Sequence, residues 1–115
     1  MQQLLRLPSP PTAVFCYDDT VALGAIRAVH GADLRVPQDI SVVGFDDVHL
    51  ASYFEPPLTT IAQPKREMGQ KAVEMVLAVL RNAEKVEDCV MPVRLVVRES
   101  TMPPRHLRKD RGLKD

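Results

Sequence analysis

The 115-residue sequence has no excess of charge of either sign: fifteen Lys and Arg stand against fifteen Asp and Glu. A domain that holds DNA or RNA by its phosphates carries a basic excess, because that term supplies most of the non-specific affinity. The balance argues against a stand-alone nucleic-acid binder. No stretch approaches the roughly 18 consecutive apolar residues of a membrane span. The opening residues MQQLLRLPSPP lack the long apolar run and small-residue cleavage site of a secretory signal. Cysteine is scarce, so Cys16 and Cys89 allow at most one bridge, and Cys16, inside an apolar run, is expected as a buried free thiol. These absences predict a cytoplasmic protein with no membrane partner. The motifs of common enzymes are missing too: there is no GxSxG, P-loop or GxGxxG. His30, His49 and His106 show no metal-ligand spacing, and neither cysteine has a CxxC partner. Ser41, Ser52 and Ser100 lack the context of a nucleophile. No catalytic residue, metal site or cofactor is nominated.

What is present is the composition of a folded chain, 45% apolar and 26% charged. Ten prolines divide it into segments. Residues 12–17 (TAVFCY) are short, apolar and β-rich, which predicts a buried strand. Asp18 and Asp19 follow, and a carboxylate there can cap the first free N–H groups of a helix. Val21, Ala22, Ala25, Ile26 and Val29 recur at helical spacing, predicting a helix from about residue 19 to 30 with Gly31 as its stop. A second apolar run, ISVVGF at 40–45, again ends in two carboxylates, Asp46 and Asp47. Gly44 inside it predicts the close approach of another backbone, or a bend. Strand, helix and strand make a βαβ unit, whose linkage requires parallel strands and a right-handed crossover. Unalternating apolar strands fit a parallel sheet covered on both faces.

The segment 48–57 carries Leu50, Tyr53 and Phe54, and LTTIA at 58–62 is a third β-prone run. Pro64 fits the first turn of a helix, with Glu67 favourable at its positive end. Met68, Ala72, Met75, Val76, Val79 and Leu80 then give a 3.6-residue period, the signature of a core-facing stripe, ending near Asn82. A last strand is expected within 90–97, followed by a basic tail from Arg105 that reads as a solvated terminus. No internal repeat or low-complexity tract is present.

Two strands therefore each deliver a carboxylate pair to one end of a parallel sheet, where ligands sit in open α/β folds. A carboxylate there accepts two hydroxyl or ring N–H bonds, which suits a sugar or a nucleobase. Each Asp could equally cap a helix or turn, and Asp19 and Asp47 suit that role better. At Asp18 and Asp46 the two uses stay open. A third use, holding Mg²⁺ as receiver-like α/β domains do, would want a hydroxyl and a Lys at later strand ends. Thr59, Thr60 and Lys65 are the nearby residues, although Lys65 follows a proline and begins a helix.

The order of these segments carries a resemblance. PTAVFCYDDTVALGAIRA, LRVPQDISVVGFDD, YFEPPLTTIAQPKREMGQKA and RLVVREST, over about residues 11–104, resemble the C-terminal part of LacI/GalR-family transcription regulators, purine and ribose repressors among them. The resemblance implies an α/β, parallel-sheet fold like type I periplasmic binding proteins, partial and mostly the C-terminal lobe. It divides the chain into an N-terminal extension (1–11), a lobe (12–63), a helix returning to a first lobe otherwise missing (64–88), a final strand (89–104) and the basic tail (105–115). It implies that Asp46 is the ligand-binding carboxylate, that Asp18 also faces the cleft, and that Gln63 contributes to the pocket in some members. Asp19 would cap the helix. Tyr17 departs from the pattern, standing where a small residue is usual, and would reshape the pocket.

The chain is thus expected to be an effector-sensing and dimerisation fragment of a regulator. Its effector would be a sugar or purine-like molecule; no enzyme activity and no cofactor are implied. The segments holding Ala25, Val29, Leu50 and Phe54 would form the homodimer contact. Operator DNA would be a partner of a full-length parent only, since no helix-turn-helix or hinge helix is present. An exposed stripe on the returning helix would favour a dimer or a swapped assembly. A fragment of a periplasmic-type sugar-binding protein is the alternative with the same fold, and a Mg²⁺-dependent α/β domain the alternative with another chemistry.

Overall fold

The computed structural model describes residues 1–81 and 87–104. The basic tail 105–115 with His106, and Asn82, lie outside the described residues. The chain groups into two compact units, one built from Met1–Ala62 and the segment from Leu95 onward, the other from Gln63–Arg94.

The first unit opens with a one-turn helix α1 (Gln2–Leu5), a segment for which the sequence predicted no element. Strand β1 (Ala13–Phe15), helix α2 (Asp19–His30) and strand β2 (Ser41–Val43) then form the expected βαβ unit. β1 and β2 are parallel, with Ala13 opposite Ser41 and Phe15 opposite Val43. Pairing continues past β1, where Cys16 N–H donates to the Val43 carbonyl at 2.8 Å. Beyond β2, Val43 bridges Thr59 in parallel, and β3 (Thr60–Ala62) follows, hydrogen-bonded in turn to β4 (Arg94–Val96). A short 3-10 helix, His49–Tyr53, fills the connection between β2 and β3.

The core sits between α2 and this sheet. Ala22, Ala25, Ile26 and Val29 are buried with Cys16, Val36, Ile40, Val42, Ala51 and Leu58. Val21, expected in the same stripe, is outside it at 51% exposed. Gly31 is the C-cap as expected, with an ordinary φ of −67°; the left-handed turn falls two residues later at Asp33, φ 56°. Asp tolerates that region because its short polar side chain bonds locally.

Two sequence expectations need correction here. Ala25 and Val29 were expected at a dimer contact, but at 6% and 0% exposed they are spent on the chain's own core. Leu50 is 64% exposed and Phe54 half-buried, so the surface available in those segments lies around the 3-10 helix. The second unit is helix α3 (Lys65–Leu80) with the segment up to Arg94. Pro64, expected in its first turn, is its N-cap, and Glu67 lies in the first turn as predicted. Its stripe does not face a core: no residue of α3 is buried, and Val73, Val76 and Val79 are each more than half exposed. The periodicity marks the side α3 could bury, and among the described residues that side stays exposed.

Candidate functional site

The C-terminal ends of β1 and β2 carry the two carboxylate pairs, and a backbone bond joins them there. Asp19 N–H donates to the Phe45 carbonyl at 2.9 Å, so Asp18 and Asp46 flank a single hydrogen bond at the strand ends. The Phe15 and Phe45 rings meet edge to face beside it, with centroids 6.4 Å apart. Four acidic residues converge on this rim, and each has a different environment.

Asp18 is the helix N-cap. Its backbone is extended (φ −149°, ψ 177°), and one carboxylate oxygen accepts the Val21 N–H at 2.6 Å. Asp19, expected as the helix cap, is fully buried instead. It accepts the Val48 N–H at 2.8 Å on one oxygen and the Thr60 hydroxyl at 2.5 Å on the other. The cap falls at Asp18 because only the first of the two residues has the non-helical backbone that a cap requires. Gly44 makes room for the buried carboxylate: a Cβ there would collide with Asp19 Oδ1 and come within 2.8 Å of Leu58 Cδ2. The close approach at Gly44 is therefore first to a side chain of α2, where another backbone was expected.

Asp47 pairs with Arg98 at 2.7 Å, both side chains being about a quarter exposed or less. The same guanidinium donates to the Leu58 carbonyl at 2.7 Å. Asp46 is half-buried, and its N–H donates to the Ile61 carbonyl at 2.8 Å. Its φ is 105°, and that of Asp47 is 48°. Residues with a side chain rarely adopt positive φ, and such positions cluster at ligand clamps. Thr60, which a Mg²⁺ site would have drawn on, is committed to Asp19.

Tyr17 stands at the rim, 87% exposed. Gln63 begins the second unit, where its carbonyl accepts the Lys65 N–H at 2.9 Å and its side lines a groove with Met68, Met75 and Met91. Cys16 is buried as a free thiol, and Cys89 is exposed. Burial pushes the Cys16 thiol above its ordinary pKa; the chain's amino terminus opposes that rise and the Asp18 charge adds to it.

Sequence reasoning missed the residues that hold the rim in place. Ser100 is fully buried, accepting the Thr59 N–H at 2.8 Å and donating to the Val42 carbonyl at 2.6 Å. Arg98 N–H reaches the Thr59 hydroxyl at 2.9 Å. These bonds span about 40 residues or more, and no local pattern announces them; the one available signal was a polar RES tripeptide directly after an apolar strand.

Comparison with known proteins gives the family of this fold. Residues 1–101 match the family model described as a periplasmic binding protein-like domain. The ribose operon repressor of Haemophilus influenzae is 48% identical over 101 residues, which cover 87% of this chain and 30% of the relative. The HTH-type transcriptional repressor CytR of Escherichia coli is 44% identical over 106 residues, 88% of this chain and 30% of that protein. The lac repressor dimer bound to operator and the anti-inducer ONPF superposes with a TM-score of 0.81 at 41% identity, covering 89% of this chain and 36% of that one. A LacI-family regulator from Enterococcus faecium with bound ribose gives 0.77 at 35% identity, covering 90% and 38%. The chain spans 30% of the length of the two curated relatives.

Proposed function

The chain belongs to the periplasmic binding protein-like family, in the effector-binding region of LacI/GalR regulators, and from that premise we propose that it senses a small molecule through the rim at Asp46. The observation that carries the proposal is the state of the four carboxylates. Asp46 is half-buried at the rim and held at positive φ, next to Asp47, which pairs with Arg98, and close to the buried Asp19. A carboxylate so placed accepts two hydroxyl or ring N–H hydrogen bonds, and charge-assisted bonds of this kind are the stronger ones. The effector is a sugar or a nucleobase; the ribose held by the E. faecium relative supports the first. Asp18, with one oxygen spent on the cap, contributes the other. Gln63, in the second unit, is tested by its own substitution.

The function is sensing rather than catalysis, in the cytoplasm, and ligand binding shifts a conformational equilibrium that operator affinity reads in a longer regulator. The relatives are named as repressors, which favours this over a transport-associated sugar-binding protein. The assembly is a homodimer, with Leu50 and Phe54 at the contact, in keeping with the dimeric lac repressor. A particle of monomer mass by light scattering at micromolar concentration would contradict that assembly. For the effector, isothermal titration with ribose and with purine bases should give saturable heat that Asp46→Ala removes. Saturable binding unchanged by Asp46→Ala would refute the assignment.

A further inference from the structure

A residue at a φ of 105° stays there only if its surroundings over-determine it. At Asp46 those surroundings can be named. Its own N–H is fixed to Ile61 on β3. Two residues on, the Val48 N–H is fixed to Asp19 Oδ2 at 2.8 Å. The other oxygen of Asp19 holds the Thr60 hydroxyl at 2.5 Å, and the Asp47 N–H lies 3.5 Å from that same hydroxyl oxygen. Asp19 is in turn tied back to the rim, its N–H donating to the Phe45 carbonyl at 2.9 Å. One fully buried carboxylate thus grips the residue before Asp46 by its backbone and the residue two after it by its side chain, and anchors both to β3.

A carboxylate taken out of water is tolerated only if hydrogen bonds replace its hydration. Capping cannot explain this one, since Asp18 already caps α2. The glycine at position 44 exists in the same arrangement, because any Cβ there would strike Asp19 Oδ1. We infer that Asp19, acting with Thr60, is a positioning residue that sets the backbone of the Asp46–Val48 turn and so aims the Asp46 carboxylate at the effector. The inference rests on the assignment of Asp46 as the ligand carboxylate, and it adds the element that makes that carboxylate competent.

The test removes one hydroxyl and restores it, in the full 115-residue chain. Thr60→Val deletes the donor with little change of shape, and Thr60→Ser returns it. Two quantities are read: the three-bond amide–Hα coupling of Asp46, which reports φ, and the dissociation constant for ribose. Thr60→Val should move the coupling from the small value of φ near 105° and weaken ribose by about tenfold, the scale of one lost hydrogen bond to a charged group. Thr60→Ser should restore both. The inference is overturned if Thr60→Val lowers the melting temperature yet leaves the coupling and the affinity at their wild-type values, since that is what a merely structural bond would do. If the wild-type chain binds neither ribose nor a purine base, the effector assignment fails by itself. The coupling then decides the positioning role alone, and a value unchanged in Thr60→Val overturns it. Asp19→Asn, if it folds, should reproduce the Thr60→Val result; if it does not fold, the Thr60 pair still decides.

Discussion

Helix α2 buries Asp19, Ala22, Ala25, Ile26 and Val29 within 12 residues, whereas α3, at 16 residues, buries none. Both sequences carry an apolar period of 3.6 residues, and both helices form where that period lies. The difference is in what the described chain places against them. α2 follows directly from a strand and packs its stripe on β2, in a core shared with Cys16, Val36, Ile40, Ala51 and Leu58. α3 has a neighbouring stretch at residues 89–93, which leaves Met68, Met75 and Met91 lining an open groove. Periodicity identifies the side a helix can bury. Whether it is buried depends on residues elsewhere, and the apolar side chains of α3 still face water at a cost of roughly 25 cal/mol per Å² of apolar surface.

This contrast can be broken most strongly at Ile26. At 2% exposed it fills the α2 core, so Ile26→Ala should cost about 2–5 kcal/mol by urea denaturation. Gly44→Ala comes next, forcing Asp19 and Leu58 apart for about 1–3 kcal/mol, with the loss of rim geometry visible in the Asp46 coupling. Hydrogen exchange should then separate the helices without mutation: amides at the centre of α2 exchange by global opening, and those of α3 by local opening. Slow exchange along α3 matching that of α2 would contradict the comparison.

The cysteines give a smaller effect. Burial raises the Cys16 pKa, so the folded chain keeps this proton at a pH where the unfolded chain releases it. Stability is unaffected below the ordinary thiol pKa of 9.0 and falls as pH rises through it; Cys16→Ala should flatten that decline. A thiol reagent at neutral pH should label exposed Cys89 first and Cys16 only on opening. The smallest effect is expected at Val76, 58% exposed on α3, where Val76→Ala should change stability by no more than about 0.5 kcal/mol.

The local features of the fold were legible because their causes are local. The bounds of α2 came out as Asp19–His30, set by carboxylates before it and glycine after it, and the two parallel strands fell inside the runs that predicted them. The 3-10 helix was not legible, since HLASY has neither the length nor the period of a helix. The cap was expected at Asp19 and falls at Asp18, because adjacent carboxylates look alike in sequence while one backbone step separates a cap from a buried anchor. Arg98, Ser100 and Thr60 were missed as supports of the rim for a different reason. Their partners lie 39 to 58 residues away, so the bonds exist only after the sheet has formed.

The central claim is that the rim of the first unit, at Asp46, receives the effector. It is tested most directly by following backbone amide shifts of the labelled chain during a titration with ribose and with a purine base. The proposed site predicts saturable shifts concentrated at Phe45, Asp46 and the first turn of α2, absent in Asp46→Ala. Saturable shifts confined to α3, with Phe45 and Asp46 unmoved, would contradict it.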